Sequence, residues 1–193
     1  LTIELHIARY KAIKAGSYIK LPQALLTKRA IVNVQNKDNE CFKWSVLSAL
    51  FPVDKDSARV GKYTEHQDKL DFSGIKYPTP LSDIPKFERR NKVSINVYGC
   101  KVKKEKLKGD LWLATKLKST PKEVKKEIQD NRKEYVDVHL LQKSKEHANA
   151  EKHIDLLLLH DPKVGNSHYC WIKNFSRFCG DATRHKKGMR RYF

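Results

Sequence analysis

Apolar and polar positions alternate in short runs along most of this chain, and one stretch breaks the habit. Over residues 41–51 the apolar residues Phe42, Trp44, Val46, Leu47, Ala49, Leu50 and Phe51 fall nearly all round a helix that Pro52 stops. A helix without a broad polar face belongs inside a domain. Around it alternation predicts strands over 1–13 (Leu1, Ile3, Leu5, Ile7) and 92–98 (Val93, Ile95, Val97), 30–34 reads as a brief apolar strand, and 136–141, 154–159 and 168–172 as three further strands. Gly16-Ser17 ends the first strand, and Leu21-Pro22 opens a helical turn closing near Thr27. Residues 53–92 hold two proline-containing turns and little periodicity, with Leu70/Phe72 and Ile75/Tyr77 as short edge elements. Ser119-Thr120-Pro121 caps a charged surface helix running to about Arg132, and residues 161–166 make a hairpin turn between the last two strands.

These elements predict an α+β domain, the 41–51 helix packed on a mainly antiparallel sheet of strands 93–98, 136–141, 154–159 and 168–172. At 193 residues the chain is read as a single domain, 1–193, large enough to bury a core without metal or disulfide staples. Without an initiator Met and starting mid-pattern, it is expected to be a fragment of a longer protein. Its longest aliphatic run, 154–159, contains Asp155 and is too short to cross a bilayer. Cys41, Cys100, Cys170 and Cys179 form no C-x-x-C pair, so a reduced intracellular setting, cytoplasm or nucleus, is expected, with no metal and no cofactor. Trp44 and Trp171 are expected to pack the helix on the sheet, His153 and His160 to sit at its rim, and Cys170 to be a small core residue.

Charge changes the picture only in part. The net charge is +18, a field that makes polyanions legitimate partners. Yet residues 101–134 carry +6 and residues 173–193 another +6, so two thirds of the excess lies in a basic insertion at about 101–134 and in a basic tail from about 179. Both are candidate DNA contacts, and both are equally readable as solvated faces.

Two residues carry candidate chemistry. A nucleophilic cysteine needs its thiolate populated, and a helix N-terminus favours an anion through its unpaired N–H groups. Cys41 stands there, after the polar loop 35–40. An imidazole must accept the thiol proton and return it to the leaving group. His168 opens a strand directly after a hairpin turn. A cysteine at the tip of a central helix, with a histidine at the tip of a much later strand, is the chain order of papain-like enzymes.

The boxes Asn36-x-Asp38-x-x-Cys41-Phe42-x-Trp44-Ser45-Val46-Leu47 and His168-Tyr169-Cys170-Trp171-Ile172-Lys173-Asn174-Phe175-Ser176-Arg177 resemble a domain of Maverick/Polinton-type transposon proteins. Gly16-Ser17-Tyr18-Ile19-x-Leu21-Pro22 and Ile84-Pro85-Lys86-Phe87-Glu88 extend the resemblance over most of the chain. In that family the domain precedes a zinc-finger segment, and the tail from Lys186 to Phe193 is similar to its lead-in. More distantly, the Cys and His boxes resemble OTU-type and herpesvirus-tegument-type deubiquitinases. The resemblance implies a papain-like fold and cysteine-peptidase cleavage of peptide or isopeptide bonds, with ubiquitin or a ubiquitin-like protein as substrate.

A third residue should orient His168. Asn166, two positions earlier on the same strand face and about 7 Å away by backbone rise, is the first candidate, and Asp161 across the turn is the second. Tegument-type enzymes place an Asp at the position of Asn166. Asn174 shares the face but lies about 20 Å along an extended strand, too far unless the chain turns back. For the oxyanion, the papain-like resemblance points to Gln35, six residues before Cys41. The OTU-type resemblance points to the upstream loop, Asp38 with the Cys41 backbone N–H, and Asn36 and Asp38 match the transposon box as well. The competing function class is a nucleic-acid-binding module of a replication protein, with Cys41 only a core residue.

Overall fold

A computed structural model describes residues 18–104, 134–146, 148, 150–161 and 165–180. The strand expected over 1–13, the helix expected over 120–132 and the basic tail from 181 onward lie outside the described residues, as do positions 162–164 of the hairpin turn.

Leu21-Pro22 leads into α1 (Gln23–Leu26), whose Leu25 is buried, and β1 (Ile31–Val32) follows. Next comes α2 (Cys41–Leu50), the helix expected from its all-round apolar pattern, buried along most of its length. Its two buried serines are accommodated locally: Ser45 Oγ donates to Phe42 O and Ser48 Oγ to Ser45 O, both at 2.8 Å. The 53–92 region differs from expectation. Leu70, Phe72, Ile75 and Tyr77 form no strand; three 3-10 turns (Val60–Lys62, Thr64–Lys69, Leu81–Asp83) lead into an unforeseen helix, α3 (Ile84–Asn91). Four strands follow, β2 (Val93–Lys104), β3 (Glu134–Gln142), β4 (Lys152–Asp161) and β5 (Asn166–Ile172), and then a short α4 (Phe175–Cys179) capped by the Asn174 side chain.

The result is a mixed α+β fold with the Cys41 helix packed on a largely antiparallel sheet of order β1-β5-β4-β2-β3. Among the described strands only β2 and β4 run parallel, Val93 opposite Lys152 through Gly99 opposite Leu158, because the chain visits the far edge as β3 before returning on the other side of β2. The strand period of two divides the core between two faces. Val93, Ile95, Val97, Ile154, Leu156 and Tyr169 meet Phe42 and Val46 of α2 and Phe87 of α3; Leu157, Leu159, Cys170 and Ile172 meet Leu21, Leu25 and Phe178. Trp44, buried with Val32, Val34, Leu47 and Tyr63 and flanked by Trp171, closes a third cluster at the β1 edge. No helix among the described residues is long and apolar enough to cross a membrane.

Phe42 is the hinge of the helix–sheet contact, its ring edge-on to Phe87 at 5.4 Å and to Tyr169 at 5.5 Å between centroids. Phe42→Ala should therefore cost about 3–5 kcal/mol in urea unfolding. A loss under 1 kcal/mol would mean that α2 is not anchored there.

Candidate active site

The site forms where β1 stops. Its last pairing sets Val32 opposite Trp171, and nearer the start of β5 no described strand continues along that edge. The N-terminus of α2 fills the gap. Tyr169 N donates to Cys41 Sγ at 3.5 Å, so the thiol lies beside the peptide bond that joins His168 to Tyr169. Tyr169 holds this arrangement at two further points: its ring packs on Phe42, and its Oη donates to Thr79 O at 3.0 Å.

His168, fully buried, shares the face of β5 that carries Cys170 and Ile172. Its Nε2 lies 2.8 Å from Asn33 Oδ1. The Asn33 amide is held in register by its own Nδ2, which donates to Ile19 O at 2.9 Å and turns Oδ1 toward the ring. Since Oδ1 can only accept, Nε2 carries the proton, and in the neutral ring Nδ1 is the basic nitrogen. Cys170 Sγ donates to the same Oδ1 at 3.3 Å. The ring of Tyr18 stands edge-on to His168, 6.0 Å between centroids.

The loop before α2 is organised by Asp38. Its Oδ1 accepts from Asn36 Nδ2 and from Glu40 N, each at 2.9 Å, and its Oδ2 accepts from Trp44 Nε1 at 3.0 Å. Partial burial pushes this carboxyl up, but the hydrogen bonds from Asn36, Glu40 N and Trp44, with Lys43 nearby, outweigh it and hold it below the usual carboxylate range. Asp38 is thus an ionised acceptor that shapes the loop. The Gln35 side chain is exposed, and its N donates to Ala58 O at 2.8 Å.

The expectation of a thiol made acidic by its helix position is corrected. Cys41 is 2% exposed, and burial pushes it up to about 11, against the opposing amides of Tyr169, Phe42 and Cys41 itself; the Asp38 charge adds to the rise. At the N-terminus of α2, desolvation outweighs the helix dipole. The resting group is a neutral thiol with amides already aimed at the sulfur.

Of the residues named from sequence, Cys41 and His168 are thus carried on adjoining elements. Asn166 begins β5 opposite Asp161, and its Oδ1 accepts from Ser167 N at 2.9 Å. Asn174 caps α4 by accepting from Arg177 N at 2.9 Å. Sequence reasoning missed Asn33, whose only signal is an amide one residue beyond a strand that edges the histidine strand; it missed Tyr18 over the ring as well. Among the described residues, no group of three or more His, Cys, Asp or Glu side chains is placed to hold a metal ion. No protein-family model, curated protein or solved structure matches the chain.

The buried thiol has a consequence for stability. Below pH 9 folded and unfolded Cys41 are both protonated and its contribution is intact. Above pH 9 the unfolded thiol ionises while the folded one keeps its proton to about 11, so stability falls across that window. Between pH 8 and pH 11 the wild type should lose roughly 2 kcal/mol more than Cys41→Ala in urea unfolding. Parallel losses in the two proteins would place the thiol in a polar setting.

Proposed function

We propose that this chain is a cysteine peptidase of papain-like fold that hydrolyses peptide or isopeptide bonds, with Cys41 as nucleophile, His168 as base and Asn33 as the residue that orients His168. The observation that carries the reading is the pairing of His168 Nε2 with Asn33 Oδ1 on the stretch of β5 whose next amide, Tyr169 N, donates to Cys41 Sγ. Asn33 keeps the Nε2 proton in place and leaves Nδ1 to accept the thiol proton. With the resting thiol neutral, proton transfer accompanies attack on the carbonyl. The imidazolium then protonates the leaving amine, and water, activated by the same imidazole, hydrolyses the thioester. The α2 amides aimed at Cys41 support the anionic stages.

The substrate reading rests on the resemblance of the Cys41 and His168 boxes to OTU-type and tegument-type deubiquitinases and to the transposon domain: a ubiquitin or ubiquitin-like C-terminus joined to a lysine amine.

Hydrolysis of a fluorogenic ubiquitin C-terminal amide tests the assignment. Cys41→Ala and His168→Ala should each abolish turnover while the chain stays folded, the second with a lowered Tm because a buried, hydrogen-bonded ring is removed. Asn33→Ala should lower kcat by about 10–1000-fold, because the ring loses its tautomer and orientation while the nucleophile survives. Asn166→Ala should fall less than Asn33→Ala. Wild-type turnover in both the Cys41 and His168 variants would defeat the proposal, and a larger loss for Asn166 than for Asn33 would move the orienting role to Asn166.

A further inference from the structure

Buried polar atoms in folded proteins are nearly always hydrogen-bonded, so each one without a partner asks for a reason. Two such atoms belong to residues 77–79. Tyr77 Oη and Thr79 Oγ1 are both buried and have no hydrogen-bond partner among the described residues. Tyr169 ties this segment to β5 through its Oη, which donates to Thr79 O, while its N donates to Cys41 Sγ. Tyr77 packs on the core cluster that contains Cys41, Phe42 and Tyr169. An unpaired hydroxyl costs about 1–3 kcal/mol, and a phenylalanine would fill the same space without that cost.

We propose that the Tyr77 hydroxyl is the side-chain donor to the oxyanion formed when Cys41 attacks a carbonyl, its hydrogen bond completed only when substrate is present. This role rests on the peptidase reading above and extends it. In the step, Cys41 Sγ bonds to the carbonyl carbon and the C=O π pair moves onto oxygen. His168 takes the thiol proton. Tyr77 O–H donates to the new oxyanion and keeps its own proton. As the tetrahedral species collapses, the pair returns to form C=O, the C–N bond breaks, and the amine leaves with the proton from His168.

Two features fit the phenol to this task. Burial, followed by the nearby carboxylates of Glu40 and Asp38, holds the Tyr77 phenol well above its ordinary range, so it remains a donor at any working pH. Both carboxylates belong to the loop that leads into Cys41. Of the oxyanion residues named from sequence, Asp38 is an acceptor and Gln35 has an exposed side chain.

The test is Tyr77→Phe, with kcat, KM and Tm measured on the ubiquitin C-terminal amide and on a peptide amide. Loss of one oxyanion donor should lower kcat about 100–1000-fold with KM within twofold, while Tm holds or rises because an unsatisfied hydroxyl is gone. A kcat within twofold of wild type would overturn the role, as would a fall in kcat accompanied by a fall in Tm, which marks a packing residue. In either case wild-type activity, absent in Cys41→Ala, leaves the peptidase reading standing. A wild-type chain that turns over neither substrate removes both.

Discussion

The contact between the first turn of α2 and the start of β5 is the constraint on which the rest of the site depends, and Tyr169 makes it. One residue joins three elements: its amide meets the Cys41 sulfur, its ring meets Phe42, and its hydroxyl meets Thr79 O. The contact exists because β1 is only two residues long. A longer β1 would continue to pair along β5, and the Tyr169 amide would be spent in the sheet. The short strand leaves that amide for the thiol, and it leaves Asn33, the first residue past the strand, beside His168 instead of in a ladder.

Much of the scaffold was legible from short apolar segments bounded by turns. The strands at 93–98 and 136–141 alternate over most of their length, those at 154–159 and 168–172 are runs of adjacent apolar residues, and they appear as β2 to β5 with longer ends. The α2 helix was legible from apolar residues on every side. Helix α3 was not, since its inward face carries Glu88 beside Ile84 and Phe87. Glu88 is buried because its carboxylate accepts from Ile95 N at 2.7 Å, a partner on β2 that no local pattern announces.

The candidate site divides in the same way. Cys41 was legible at the first position of α2; His168 was expected to open its strand and is instead the third residue of β5, paired with Leu159. Asn33 depends on β1 pairing with β5, Ile31 opposite Ile172, a contact across some 140 residues of sequence. Asn166 had the right strand and parity, but the amide seen on the His168 ring arrives from the neighbouring strand. The acidity expected of Cys41 failed on burial, which sequence does not report. The helix dipole acts over one turn and is outweighed when the sulfur is shut away from water.

Cys41 is an enclosed thiol with the Tyr169 amide directed at its sulfur, and under the proposed function it ionises only as substrate engages. The most direct measurement is reaction of the chain with a ubiquitin probe that carries a C-terminal electrophile, followed by peptide mapping of the adduct. The expected product is a single thioether at Cys41, absent from Cys41→Ala and formed more slowly in His168→Ala. An unreacted wild type, or an adduct at Cys100, Cys170 or Cys179, would contradict the assignment of Cys41 as nucleophile.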